Sequence, residues 1–283
     1  MQGDNVTILV LGPTGGQGGA VVAALLERGV PVRGLVRDPA RLSAHTLTER
    51  GVEVVRGSWY DVDSLAAAMT GTDGVFALTT PFESGPAAEV QQGRAILEAA
   101  ARAQVPHLVF SSVASADQRS GVPHFDSKAR VEAQLPGSGV PYTILGPTYF
   151  FDNMMGDAGS VRQGILRLPI PSDRPLQQTA RDDLGAFAAE VLLNPDSYKG
   201  QRIELASDRP TPAEMAADLG EALGRPVHHE QTPLAAITNP DMHAMWDFFN
   251  GPGYQVDIPA LHEAHPEIPW TSFADWTRQT FLR

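Results

Sequence analysis

Residues Val6-Thr7-Ile8-Leu9-Val10-Leu11 are almost wholly apolar, and the glycine-rich run Gly12-Pro13-Thr14-Gly15-Gly16-Gln17-Gly18-Gly19 follows them. The chain then turns apolar again at Ala20-Val21-Val22-Ala23-Ala24-Leu25-Leu26, in residues that mostly favour a helix. A short apolar run ending at glycine reads as a strand buried on both faces. The same alternation continues downstream. Residues 31–36, 52–55, 74–78, 107–110 and 142–145 read as five further strands. Residues 61–69, 87–103 and 125–135 read as helices between them, the first capped by Asp61 or Asp63. Strands separated by helices need crossovers, so the expected fold is α/β, a Rossmann-type doubly wound parallel sheet.

Beyond residue 150 the alternation loosens. Residues 162–168, 202–205 and 226–231 read as strands, and 183–193, 211–223, 242–249 and 273–281 as helices, with Asp183 as the cap of its helix. The expected division is a cofactor-binding domain over residues 1–150 and a smaller, discontinuous C-terminal α/β lobe over 151–283. About 180–205 would return to the main sheet. The aromatic residues Trp246, Phe248, Phe249 and Tyr254 either line a pocket of that lobe or pack its core.

The glycine run carries the first candidate chemistry. Gly12 suits a tight turn after the strand, Gly15 a close approach to a pyrophosphate, and Gly18 close packing of helix on strand. Free N–H groups at the helix start would face the phosphates, with Thr14 and Gln17 in the same turn. An ordinary strand-to-helix turn has similar glycines, and the G-x-x-G-x-x-G spacing differs by one residue from the commonest fingerprint. At the end of the second strand an acidic residue would select NAD. Here Val36 and Arg37 stand there, with Arg41 a turn further on, which suits a 2′-phosphate and hence NADP(H). Asp38 is a competing partner for Arg37. Ligands of such sheets sit outside the carboxyl ends of the strands. That adds Ser58 and Trp59, then Thr79, Thr80 and Pro81, then Ser111 and Ser112, and then Pro147, Thr148, Tyr149 and Phe150.

Composition narrows the classes. The chain has 283 residues, no Cys and a formal charge of −12. It therefore has no disulfide framework or thiolate, and a basic nucleic-acid face is not expected. No apolar run is long enough to span a bilayer, and Met1 does not begin a signal peptide, so a cytoplasmic protein is expected. No metal is expected either. His228 and His229 would point to opposite faces of a strand, and His262 and His265 lack an evident third ligand.

The chain resembles the NmrA-like family of atypical short-chain dehydrogenases/reductases, and most of all its NADPH-sensor (HSCARG-like) branch. The resemblance rests on the glycine run, Val36-Arg37-Asp38-Pro39, and His124-Phe125-Asp126-Ser127-Lys128-Ala129-Arg130-Val131-Glu132. It extends to Tyr149-Phe150-Phe151-Asp152-Asn153, Asp182-Asp183-Leu184-Gly185 and Asp275-Trp276. It implies that the glycine turn holds the pyrophosphate and Arg37 the 2′-phosphate. It also implies that Lys128 reaches the nicotinamide ribose and that Thr148 to Phe150 border the nicotinamide. Two features depart from the wider pattern. Leu145-Gly146-Pro147 has Gly where many relatives have Arg. The two lysines, Lys128 and Lys199, follow His124 and Pro195 by four residues, so the usual Tyr-x-x-x-Lys pair is absent.

His124 is the candidate replacement for that tyrosine as general acid, on one helix face with Lys128; packing at a helix start is its alternative role. Ser112 or Ser111 would bond a substrate carbonyl or simply satisfy strand-end backbone. Two functions follow. One is an NADPH-dependent reductase of a small carbonyl, quinone or imine. The other is a non-catalytic redox sensor read by a regulatory protein partner. Either would act as a monomer or homodimer.

Overall fold

A computed structural model describes residues 6–281, so the reading of Met1 concerns a residue outside that span. The first half runs β1 (Ile8–Leu11), α1 (Gly16–Glu27), β2 (Val32–Val36), α2 (Leu42–Glu49), β3 (Glu53–Arg56), α3 (Val62–Met69), β4 (Gly74–Leu78), α4 (Gly85–Arg102), β5 (Leu108–Ser111), α5 (Pro123–Glu132) and β6 (Tyr142–Pro147). The second half runs β7 (Tyr149–Phe150), α6 (Ala158–Arg162), β8 (Ile165–Leu168), β9 (Gln178–Thr179), α7 (Arg181–Leu193), β10 (Arg202–Leu205), α8 (Pro212–Leu223), β11 (His228–Gln231), α9 (Pro240–Asn250), α10 (Ile258–Ala264) and α11 (Phe273–Phe281).

Seven strands form one parallel sheet in the order β10-β6-β5-β4-β1-β2-β3. Ile8 pairs with Val32 on one side and Gly74 on the other. The strand order therefore reverses beside β1, and a crevice opens there outside the carboxyl ends. All four residues of β1 are fully buried, because helices cover both faces. Ile8 and Val10 enter one core with Val22 and Phe187, while Leu9 and Leu11 enter the opposite core with Leu65 and Ile96. That split is the two-residue period of a strand. A third core, around Phe125, Phe151, Trp246, Phe249 and Phe273, belongs mainly to the C-terminal elements.

Local geometry follows the residues at the two critical glycines. Gly12 has φ +65°, which a side chain would disfavour. A Cβ at Gly18 would lie 2.2 Å from the Gly12 carbonyl oxygen, so only glycine lets α1 start this close to β1. Asp61 caps α3 by accepting from the N–H groups of Asp63 (3.1 Å) and Ser64 (3.4 Å).

Three expectations change. Residues 162–168 are not one strand: α6 ends at Arg162 and Gly164 turns the chain into β8. Helices α2 and α10 were not read from the sequence, since each is short and poor in apolar periodicity. Asp183 does not cap α7. The helix begins after Ala180, which places Asp183 in its first turn with its carboxylate buried against a later segment. There it accepts from the Thr271 N–H and hydroxyl, both at 2.8 Å.

Candidate functional site

The crevice is a cleft of about 950 Å³ along the carboxyl ends of the strands. Gly12, Thr14, Gly15, Gln17 and Gly18 line it from the turn after β1, Arg37 from the end of β2 and Arg41 from the start of α2. Ser58, Trp59, Thr80, Ser112, His124, Lys128, Pro147, Thr148, Tyr149 and Phe150 complete the residues that the sequence pointed to. Thr79, Pro81 and Ser111 do not line it. Thr79 is buried and its hydroxyl donates to Glu89 at 2.8 Å. Pro81 is buried as well. The Ser111 hydroxyl donates to Gln17 at 2.6 Å, which places it behind the glycine turn.

At the polar end, Arg37 does not pair with Asp38. Its two terminal nitrogens donate to the two carboxylate oxygens of Glu83, each at 3.1 Å. Asp38 instead stands 3.9 Å from Arg41. Arg181, at the start of α7, was not singled out from the sequence, although it immediately precedes the Asp182-Asp183 motif. Its guanidinium lies against the first turn of α1, so close that a Cβ at Gly16 would come within 2.6 Å of it. It pairs with Asp152 at 3.3 Å and sits 5.9 Å above the Phe150 ring. The first turn of α1 has no acidic residue. Helix start and guanidinium thus converge on one spot, as an anion site requires.

In the middle of the cleft, Lys128 is nearly buried and its ammonium is held from below. It donates to Glu89 at 2.9 Å and to the Thr79 carbonyl at 3.1 Å. Glu89, fully buried, also accepts from Ser127 at 2.5 Å. An ammonium has three donors, so one remains for the cleft. Ser112 donates its hydroxyl proton to Glu132, which Arg202 pairs at 3.0 Å. Its oxygen can therefore accept but is not set up to donate to a substrate carbonyl. Gly146 packs on the Val113 carbonyl, where a Cβ would be 3.2 Å away. That leaves little room for the Arg of the wider pattern.

The other end is aromatic. Phe82, Tyr149, Trp246 and Tyr254 line it with Met242 and Met245. Trp246 and Tyr254 do double duty: they face the cleft and belong to the lobe's core, whereas Phe248 and Phe249 serve the core. Burial pushes the Tyr149 and Tyr254 phenols above their ordinary range, so both stay protonated. His124 stands between the two ends, with its Nδ1 2.6 Å from Asp241. Its pKa is lowered, chiefly by burial and further by Lys128, against the raising influence of Asp241 and Glu89. Sequence reasoning missed Asp241, which lies 117 residues away.

The paired histidines diverge. His229 bonds Ser172 at 2.8 Å, while His262 reaches the Ala206 carbonyl at 3.1 Å and His265 reaches Glu267 at 3.2 Å. Among the described residues no cluster of three or more metal-ligating side chains occurs.

Residues 4–265 match the NmrA-like family. The chain belongs to that family. It is 33% identical over 224 residues to an NAD(P)H azoreductase of Xenophilus azovorans, covering 78% of this chain and 76% of the relative. It is 32% identical to a (4-alkanoyl-5-oxo-2,5-dihydrofuran-3-yl)methyl phosphate reductase of Streptomyces griseus, covering 81% and 78% of the two chains. Among solved structures, the NADPH-dependent quinone oxidoreductase of Escherichia coli complexed with NADPH superposes with a TM-score of 0.81 at 25% identity. The match covers 97% of this chain and 99% of the other. The narrower resemblance to the NADPH-sensor branch rests on the sequence motifs alone.

Proposed function

We propose that this member of the NmrA-like family is an NADPH-dependent reductase whose acceptor is an uncharged, conjugated small molecule of quinone or azo type. The observation that carries this reading is the cleft's division into two ends. Arg37, Arg41 and Arg181 cluster with the α1 start at one end, in a chain of net charge −12. The cleft then continues past Thr148, Tyr149 and Phe150 into an aromatic chamber. The glycine turn fits a dinucleotide, because Gly12, Gly15, Gly16 and Gly18 bring bare backbone to the cleft wall at the α1 start. When bound, NADPH supplies the hydride. The relatives are named as reductases of azo, dihydrofuranyl-methyl phosphate and quinone compounds, which share a conjugated acceptor although the second carries a phosphate.

The chain's own residues do the rest. Arg37 and Arg41 take the 2′-phosphate, the α1 start and Arg181 take the pyrophosphate, and the remaining Lys128 donor takes a ribose hydroxyl. Phe82, Trp246 and Tyr254 exclude water and stack on a planar acceptor. His124 supplies the proton. A non-catalytic sensor needs no chamber beyond its cofactor, so the aromatic end favours the enzyme. The partner is a small molecule and not nucleic acid, and the protein works in the cytoplasm as a monomer or homodimer. Among the described residues no helix is long and apolar enough to cross a membrane.

Among the described residues Lys128 is the only lysine lining the cleft and Glu89 already neutralises it, so an anionic acceptor would find no lysine partner there. The test is NADPH oxidation with an uncharged naphthoquinone and with its sulfonate. Saturable turnover of the first, with kcat/KM lower by about tenfold or more for the second, is expected from the cost of an unpaired charge. Equal or better use of the sulfonate overturns the uncharged acceptor. No turnover with any quinone or azo compound, beside intact NADPH binding, overturns the enzyme in favour of the sensor.

A further inference from the structure

His124 is the second residue of α5, and Asp241 lies in the first turn of α9. The Asn239 side chain caps α9 by accepting from the N–H groups of Asp241 (2.9 Å) and Met242 (3.1 Å), which fixes where the Asp241 carboxylate stands. One oxygen of that carboxylate lies 2.6 Å from His124 Nδ1 and accepts from the His124 backbone N–H at 3.2 Å. The ring is further held by Phe125, edge-on at 4.8 Å, and by Phe82 at 5.7 Å. Among the described residues, Nε2 makes no hydrogen bond, and the residue faces the cleft. A carboxylate can only accept, so the proton of the neutral ring sits on Nδ1. Nε2 is then the nitrogen that gains and loses the second proton.

We propose that Asp241 is the positioning residue of a histidine–carboxylate dyad, holding His124 so that Nε2 delivers the proton to the reduced acceptor. This rests on the reading that the protein is a reductase with His124 as its general acid. The acceptor takes two electrons with the hydride, and the anion so formed takes the proton from Nε2. The Nε2–H bond breaks and an O–H or N–H bond forms. The ring is left neutral with Nδ1–H still on Asp241, and solvent restores the proton through the open cleft. The charged groups facing the ring are Asp241 from α9, Lys128 from α5 and Glu89 from α4. Asp241 partly offsets the burial and the ammonium that both disfavour the donor form, though burial prevails. The two halves of the dyad come from α5 and α9, which meet in one core through Phe125 and Trp246, so the donor forms only once α9 is docked on α5.

The test uses full-length protein with Asp241→Asn and His124→Gln. Asn keeps the size of Asp and can still accept from Nδ1, so it removes the charge alone. Two readouts are taken: nitrogen chemical shifts of the imidazoles through a pH titration without ligands, and the pH profile of kcat for the naphthoquinone. In the unmutated protein, the His124 signal should show Nδ1 protonated and Nε2 free in the neutral form. Asp241→Asn should lower the ring's pKa and move the falling limb of kcat to lower pH by about one unit. It should cut kcat roughly tenfold above that limb and leave KM for NADPH within about twofold. His124→Gln should cut kcat by roughly 10²- to 10⁴-fold and abolish the limb. A ring pKa and a limb that both stay put in Asp241→Asn overturn the proposal, even if His124→Gln is slow. Normal turnover of His124→Gln overturns the donor reading itself.

Discussion

Arg37, the residue proposed to take the 2′-phosphate, is paired with Glu83. The pair is largely exposed, at 73% and 57%, and such pairs are worth about 0–1 kcal/mol. A bidentate, charge-assisted contact to a phosphate is worth roughly 1.5–3 kcal/mol. On the proposed reading, a 2′-phosphate would displace Glu83 at a modest cost. Arg37→Ala should weaken NADPH binding by about tenfold to a hundredfold and leave NADH nearly unchanged. Glu83→Gln should tighten NADPH by about two- to fivefold, since only the competing charge is lost. Fluorescence titration with both nucleotides checks this. Superimposable NADPH and NADH curves for the unmutated protein would refute the assignment of Arg37.

At the level of elements, the packing of α7 on α1 holds the site's Arg181 over the glycine turn. Gly185 makes that packing possible: a Cβ there would lie 2.6 Å from the Ala20 carbonyl oxygen. The added Cβ is fixed to its own backbone and the atoms it meets first are the Ala20 backbone, so the helices must part. Gly185→Ala should cost roughly 1–3 kcal/mol by urea denaturation and should weaken NADPH binding as Arg181 moves. Gly159, in α6, meets nothing within 4 Å, and its φ lies outside the left-handed region. Gly159→Ala should be neutral or stabilising by up to about 1 kcal/mol, from helix propensity alone. Equal costs at the two positions would show that packing of α7 on α1 does not decide the matter.

The whole molecule also carries a pH dependence far from the cleft. His107 is buried just before β5, with Nε2 3.0 Å from the Thr143 hydroxyl and with Nδ1 unpartnered among the described residues. Burial, aided by nearby Lys199, lowers its pKa to about 4. The unfolded chain, with a pKa near about 6.5, binds more protons than the folded chain between those values. Stability is therefore fully present above about pH 6.5 and declines as the pH falls towards 4. Urea denaturation at pH 7.5 and pH 5 should show this decline, and His107→Gln should reduce it. An unchanged difference between the two pH values in the variant would show that other groups carry the decline.

What the sequence determined by itself was local or periodic. The strand–glycine turn–helix unit is written in consecutive residues, because sterics at Gly12 and Gly18 and the apolar period act between neighbours. The alternation of strands and helices implied a parallel sheet, because crossover connections allow little else. Asp61 could be read as a cap because a cap contacts only its own helix. Short, weakly periodic α2 lacked such a signal, whereas α10 has one in Asp257, which accepts from the Ala260 N–H at 3.2 Å and which the sequence reading passed over. The tertiary structure decided the partners of the charged and polar side chains. It gave Arg37 to Glu83 and not to adjacent Asp38, turned Thr79 inward to Glu89, committed the Ser112 proton to Glu132, and sent Asp183 to Thr271. It also brought Asp241 to His124 across 117 residues. Each pairing depends on which distant elements pack together, and a buried polar group takes the partner that packing presents.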